Sequence, residues 1–216
     1  MVKVLYTILE AKKHQELFRQ HLTTFPISFQ EKLLKFRRWQ DAQASLLGRL
    51  LLKEGLLSQF DKILDYNTLG YTELAKPYLK NSPIHFNISH SKNLVVCAIG
   101  VDIVFGIDVE YHKNIDIREF KFQMTDGEWQ LIASAAQPAM AFYDYWTRKE
   151  AIIKAEGKGF SMDLKSFEVL SCEHPIAVEE KMWYLTPIEI HPNYTTHLAS
   201  DKPISVPTLP QKVVFL

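Results

Sequence analysis

Cysteine is nearly absent: only Cys97 and Cys172 occur in 216 residues. Two thiols make neither a disulfide framework nor a zinc cluster, so a reducing cytosol is the expected home. Cys97 lies inside the apolar run 95–99 and reads as a small buried hydrophobe. An excess of either charge is also missing. Lys plus Arg is 25 and Asp plus Glu is 25, which removes a bulk electrostatic case for nucleic-acid binding and leaves only local patches. The longest apolar stretches are cut by Arg49, Lys53 and Glu54, so no membrane span is expected. The N-terminus carries Lys3 and no apolar segment of signal-peptide length. Neither kind of glycine-rich phosphate loop is present, so a nucleotide site would have to be built from cations and a metal. What remains is an ordinary globular balance, 47% apolar and 23% charged, long enough for one domain or two small lobes.

The periodicities predict an α+β chain. Residues 2–8 read as a strand, 11–22 as a polar amphipathic helix, and 29–60 as helical, with Gly48 and Gly55 arguing against one unbroken helix. Residues 65–79 suggest a loop or irregular hairpin. Residues 84–88, 94–99 and 103–110 are strand-like, with a turn expected at 89–93. Thr125 to Glu128 fits a capping box, Pro138 interrupts, and 143–155 is again helical, ended by Gly157 and Gly159. Short strand patterns follow at 167–170, 183–190, 195–199, 204–206 and 213–216. Each half carries a long helix and strands, which suggests two lobes, 1–104 and 105–216, with a cleft between them.

Four groups of residues could carry chemistry. In Gly106-Ile107-Asp108-Val109-Glu110, strand alternation puts Asp108 and Glu110 on one face, their Cβ atoms about 7 Å apart, where both can reach one hard cation. A half-buried strand with a wet acidic face is the plainer reading. On a helix, Trp146, Glu150 and Lys154 share a face. They could be a third carboxylate and a phosphate-binding cation, or a surface ion pair worth only ~0.3–0.5 kcal/mol. In Phe86-Asn87-Ile88-Ser89-His90-Ser91, Ser89 and His90 could donate to a phosphate at the expected turn, where backbone amides can form an anion nest. A Ser-His nucleophile pair is a poorer fit, since adjacent residues rarely meet productively and no G-x-S-x-G elbow is present. The last group is basic: Lys32, Lys35, Arg37, Arg38, Arg49 and Lys76. Arg49 interrupts an apolar run and needs a partner if buried.

Taken in order, Ala75-Lys76-Pro77, Phe86 to Ser91, Gly106 to Glu110, Trp146 to Ala151 and Lys154 to Gly159 resemble the 4'-phosphopantetheinyl transferases, of the two-lobed Sfp (surfactin-synthetase-activating) type. The resemblance implies two similar lobes related by a pseudo-twofold axis, each a small antiparallel sheet on a long helix, with coenzyme A in the cleft. It implies magnesium, or manganese, on Asp108, Glu110 and Glu150. Lys154 and His90 would contact the coenzyme A phosphates, with Ser89 and Lys76 as further binding positions and Arg49 and Lys32 near the adenosine end. Glu150, Lys154 and His90 are the expected catalytic residues, Glu150 being the preferred general base. The partner would be an apo acyl or peptidyl carrier protein, docking on residues 111–140 through Lys113, Phe120, Phe122 and Met124, unless Phe120 and Phe122 are core. Neither nucleic acid nor membrane is expected, and a monomer suffices. Two departures stand out: Ala75 replaces the family's usual glycine, and Phe29 replaces a second lysine of some members. A magnesium-dependent phosphoesterase acting on a small nucleotide, or a non-catalytic module binding coenzyme A or a carrier, would use the same residues.

Overall fold

A computed structural model describes residues 2–204 and 209–215, the side chain of Phe160 excepted. The chain forms ten strands and five α-helices among these residues. β1 (Val2–Ile8), β4 (Ile84–Ser91) and β5 (Leu94–Val101) make an N-terminal sheet, on which α3 (Trp39–Phe60) lies. α1 (His14–His21) and α2 (Ile27–Leu34) flank it, and β2 (Leu69–Tyr71) and β3 (Pro77–Leu79) form a small hairpin. The second sheet has the order β6-β9-β8-β7, from β6 (Phe105–Tyr111), β7 (Ile176–Val178), β8 (Lys181–Pro187) and β9 (Tyr194–Ser200). α4 (Asp126–Ala133) and α5 (Pro138–Glu156) cover it.

Each lobe therefore has a four-stranded sheet and one long helix, as expected. The N-terminal sheet differs in one respect. Its outer strand is β10 (Gln211–Lys212), which returns from the far end of the chain and pairs with β1 in parallel. That sheet is mixed rather than antiparallel, and residues 211–212 belong to the first lobe's sheet. Of the strands expected at 204–206 and 213–216, Val206 and Leu216 lie outside the described residues; Ile204, Val213 and Val214 are not in a strand.

Alternation decides which face each strand buries. Leu5, Cys97, Ile99 and Phe86 turn to α3 and form the first core. Val2, Val4, Val96 and Ala98 face the other way, against Ile107, Val109 and Leu198 of the second sheet. This second cluster joins the lobes. Asp108 and Glu110 are left on the face that meets α5.

Two glycines set the helix-to-sheet distances. At Gly55 an added Cβ would stand 3.1 Å from Leu5 and 3.2 Å from Ile99. At Gly106 it would stand 2.3 Å from the Ala151 carbonyl oxygen and 2.4 Å from the Ala155 nitrogen. The backbones of β6 and α5 thus cross at a distance only glycine permits.

Several expected elements come out differently. The 29–60 pattern is two helices, because Arg38 is extended (φ −106°, ψ 130°) and α3 restarts after it. Pro138 sits at the start of α5, where its missing N–H costs nothing. Residues 89–91 are not a turn: β4 runs through Ser91, paired with Leu94. Residues 167–170 form no strand, since their backbone serves side chains instead. The Phe167 carbonyl accepts from Lys149, and the Val169 N–H donates to Glu128. The capping box at Thr125 and Glu128 is present in full.

Candidate active site

The acids of β6 and the polar residues of α5 meet because Gly106 lets the two elements touch. Asp108 is 3% exposed and Glu150 9%. Lys154 Nζ donates to Asp108 Oδ1 at 2.6 Å and to Ser89 Oγ at 2.8 Å. Ser89 Oγ donates to Asp108 Oδ1 at 2.9 Å, and Ser91 Oγ donates to Glu110 Oε2 at 2.7 Å. Asp108, Glu110, Glu150, Lys154 and Ser89 are thus brought together.

The electrostatics show how closely the acids crowd. Burial first, and then the Asp108 charge, push the Glu150 pKa up to about 7, with Lys154 opposing. Burial and Asp108 also raise Glu110. Asp108 Oδ2 and Glu150 Oε1 are buried with no hydrogen-bond partner in the protein. Orphaned carboxylate oxygens are costly, and a hard cation is one group that can satisfy them. The donor set fits such an ion. Among the described residues, however, no three His, Cys, Asp or Glu side chains already close around one point. Lys154 supplies the positive charge on Asp108.

Beside the cluster lies a groove of about 360 Å³, walled by Lys32, Asp41, Ser45 and Arg49, with Pro77, Asn87 and His90 along its other side. Lys32, Arg49 and His90 therefore line one space. Arg49 is 7% exposed. It donates to the Tyr71 hydroxyl at 3.0 Å and sits 5.5 Å from the Phe29 ring centroid. Phe29 thus serves as a face for the arginine.

Lys76 has a structural role that its sequence context did not reveal. Its ammonium donates to the carbonyls of Lys154 at 2.5 Å and Ala155 at 2.9 Å, capping the end of α5. Burial lowers its pKa to about 8. It acts first as a tie between the hairpin and α5. Ala75 before it has φ 61°, the left-handed conformation that glycine adopts freely. In the expected docking segment, Met124 is buried and Phe120 packs on Phe142 at 4.6 Å, so both are core. Phe122 is 70% exposed.

Sequence reasoning missed Asn87, Ser91 and the buried pair Lys149–Glu128 (2.8 Å). Serines spaced two apart on β4 and acids spaced two apart on β6 were the available signal for Ser91.

The sequence is similar to those of known proteins. A sequence model of the 4'-phosphopantetheinyl transferase superfamily matches residues 98–206, and one of the 4'-phosphopantetheinyl transferase N-terminal region matches residues 12–101. The chain belongs to the 4'-phosphopantetheinyl transferase superfamily. Within it, the chain is of the Sfp type. It is 32% identical over 183 residues to 4'-phosphopantetheinyl transferase Sfp of Bacillus subtilis, covering 80% of each chain. It is 32% identical over 169 residues to 4'-phosphopantetheinyl transferase gsp of Aneurinibacillus migulanus, covering 77% of this chain and 70% of that one. It is 29% identical over 204 residues to the mouse L-aminoadipate-semialdehyde dehydrogenase-phosphopantetheinyl transferase, covering 80% and 66%. No helix among the described residues is long and apolar enough to cross a membrane.

Proposed function

We propose that the chain transfers the phosphopantetheine arm of coenzyme A to a serine hydroxyl of an apo carrier protein, releasing adenosine 3',5'-bisphosphate, with a divalent cation on Asp108, Glu110 and Glu150. One observation carries the reading: a buried acid cluster with two unclaimed oxygens stands next to a groove lined by Lys32, Arg49 and His90, since groove-lining Asn87 bonds the Ile107 amide beside Asp108 and His90 feels the charges of Lys154 and Asp108.

Phosphoryl transfer asks for charge neutralisation and in-line placement more than covalent help. Magnesium, or manganese in its place, would offset charge on the diphosphate while bound to the acids. The chain's own residues do the rest. Lys32 and Arg49 hold the anionic adenosine end. His90 donates to a phosphate oxygen from the groove wall. Lys154, anchored through Asp108 and Ser89, presents its remaining proton to the diphosphate. Glu150, at the end of the acid cluster, accepts the serine proton. The carrier docks beside the cleft, with exposed Phe122 and Lys113 as its contacts. We place the lobe boundary near residue 104 and expect a cytoplasmic monomer.

The test is intact-mass spectrometry of an apo carrier incubated with the chain, coenzyme A and Mg²⁺. A gain of one phosphopantetheine group, abolished by EDTA, is expected. No gain across acyl and peptidyl carriers refutes the proposal. Slow release of phosphopantetheine without any acceptor points to a phosphoesterase instead.

A further inference from the structure

β4 and β6 run side by side in the same direction, yet they belong to different sheets and share no backbone ladder. Three β4 side chains, each two residues apart, replace it. Asn87 Oδ1 accepts from the Ile107 N–H at 2.9 Å, Ser89 Oγ from Val109 at 3.4 Å, and Ser91 Oγ from Tyr111 at 3.0 Å. The serines also donate, Ser89 to Asp108 and Ser91 to Glu110. The two contacts are equivalent: each serine grips one acid and the amide that follows it. Where Ser89 also takes Lys154, Ser91 has only these two partners among the contacts described.

A hydroxyl has one proton to give. With the Tyr111 amide as donor, that proton is directed to Glu110 Oε2. Glutamate has more rotatable bonds than aspartate and loses more freedom when it is fixed. The bond from Ser91, itself 8% exposed, restrains that freedom.

We propose that Ser91 is a positioning residue for Glu110, holding its carboxylate in the orientation in which the acid cluster accepts a divalent cation. This rests on the cation reading given above. Ser91 is not among the residues lining the groove with Lys32, Arg49 and His90. It acts on the cation rather than on the nucleotide.

The test uses Mn²⁺ as probe, with the free ion followed by electron paramagnetic resonance in the full chain. Ser91→Ala weakens Mn²⁺ binding about 10-fold, the usual loss when a group that orients a metal ligand is removed. Ser91→Thr, which keeps the hydroxyl, restores it. Coenzyme A affinity measured in EDTA stays at the wild-type value in both variants. A purely structural role predicts instead that Mn²⁺ and coenzyme A binding fall together with the melting temperature, and that result overturns the proposal. So does Mn²⁺ binding by Ser91→Ala equal to wild type. Should Ser91→Ala not fold, Ser91→Cys keeps the volume with a far weaker donor and makes the same comparison. If the wild-type chain takes up no Mn²⁺, the cation reading falls and this inference with it; wild-type uptake with an unaffected Ser91→Ala sinks the positioning role alone.

Discussion

Replacing Gly106 with alanine tests the central crossing of the molecule. The new methyl carbon would stand 2.3 Å from the Ala151 oxygen and 2.4 Å from the Ala155 nitrogen. Both are backbone atoms inside α5, so no side chain can swing aside. Ordinary contact needs about 3.5 Å, so β6 and α5 must part by roughly 1 Å. Overpacking of this kind costs about 1–3 kcal/mol, and two backbone clashes put the substitution at the upper end. Activity suffers more than stability. Asp108 lies two residues from Gly106 on β6, and Lys154 one residue from Ala155 on α5, so the parting falls directly on their 2.6 Å contact. A misplacement of about 1 Å in such a site is enough for a roughly 100-fold loss of rate. Urea melts and carrier loading followed by intact mass, run on the same preparation, give both numbers. A Gly106→Ala chain that melts and loads like wild type would show that this crossing neither holds the lobe nor aligns the acids.

Three further outcomes are expected. In EDTA, between pH 4.5 and about 7, the folded chain holds the Glu150 proton that the unfolded chain has lost. Stability contributed at low pH is therefore lost as pH rises through that window, by on the order of 1–3 kcal/mol, and Mg²⁺ flattens the slope; thermal melts from pH 5 to 8 with and without Mg²⁺ check this. Glu128→Ala strands the fully buried Lys149 and should cost about 3–5 kcal/mol, read as a fall in the urea midpoint. Ala75→Gly relieves a left-handed alanine and gains about 0.5 kcal/mol net of the added freedom of the unfolded chain, again by urea melt.

Much of the site was legible because its spacing carries geometry. Asp108 and Glu110 share a face by strand alternation, and Glu150 and Lys154 by helical repeat, so each pair could be read locally. Their meeting depended on Gly106, whose part only the tertiary crossing reveals. The turn expected at residues 89–93 is confined to Lys92-Asn93, while Ser89 and Ser91, residues that favour turns, lie in β4. Here their hydroxyls are claimed by β6, which leaves the strand free to continue. The sequence around Lys76 pointed to a phosphate but not to the two carbonyls at the end of α5 that also take its ammonium. The strand expected at 167–170 failed for the same reason: Lys149 of α5 and Glu128 of α4 bind its backbone. β10 is two residues long and packs on a strand more than 200 positions away, beyond any local pattern.

That returning strand has a consequence for biosynthesis. β5 ends at Val101, and the strand that completes its sheet begins at Gln211, so about 110 residues emerge from the ribosome between them. At ordinary elongation rates of about 5–20 residues per second, the first lobe waits roughly 5–20 s with the outer rim of β1 unpaired. During that interval the nascent chain offers an open edge to which any neighbouring extended segment can add, until Gln211 and Lys212 pair with Leu5 and Tyr6.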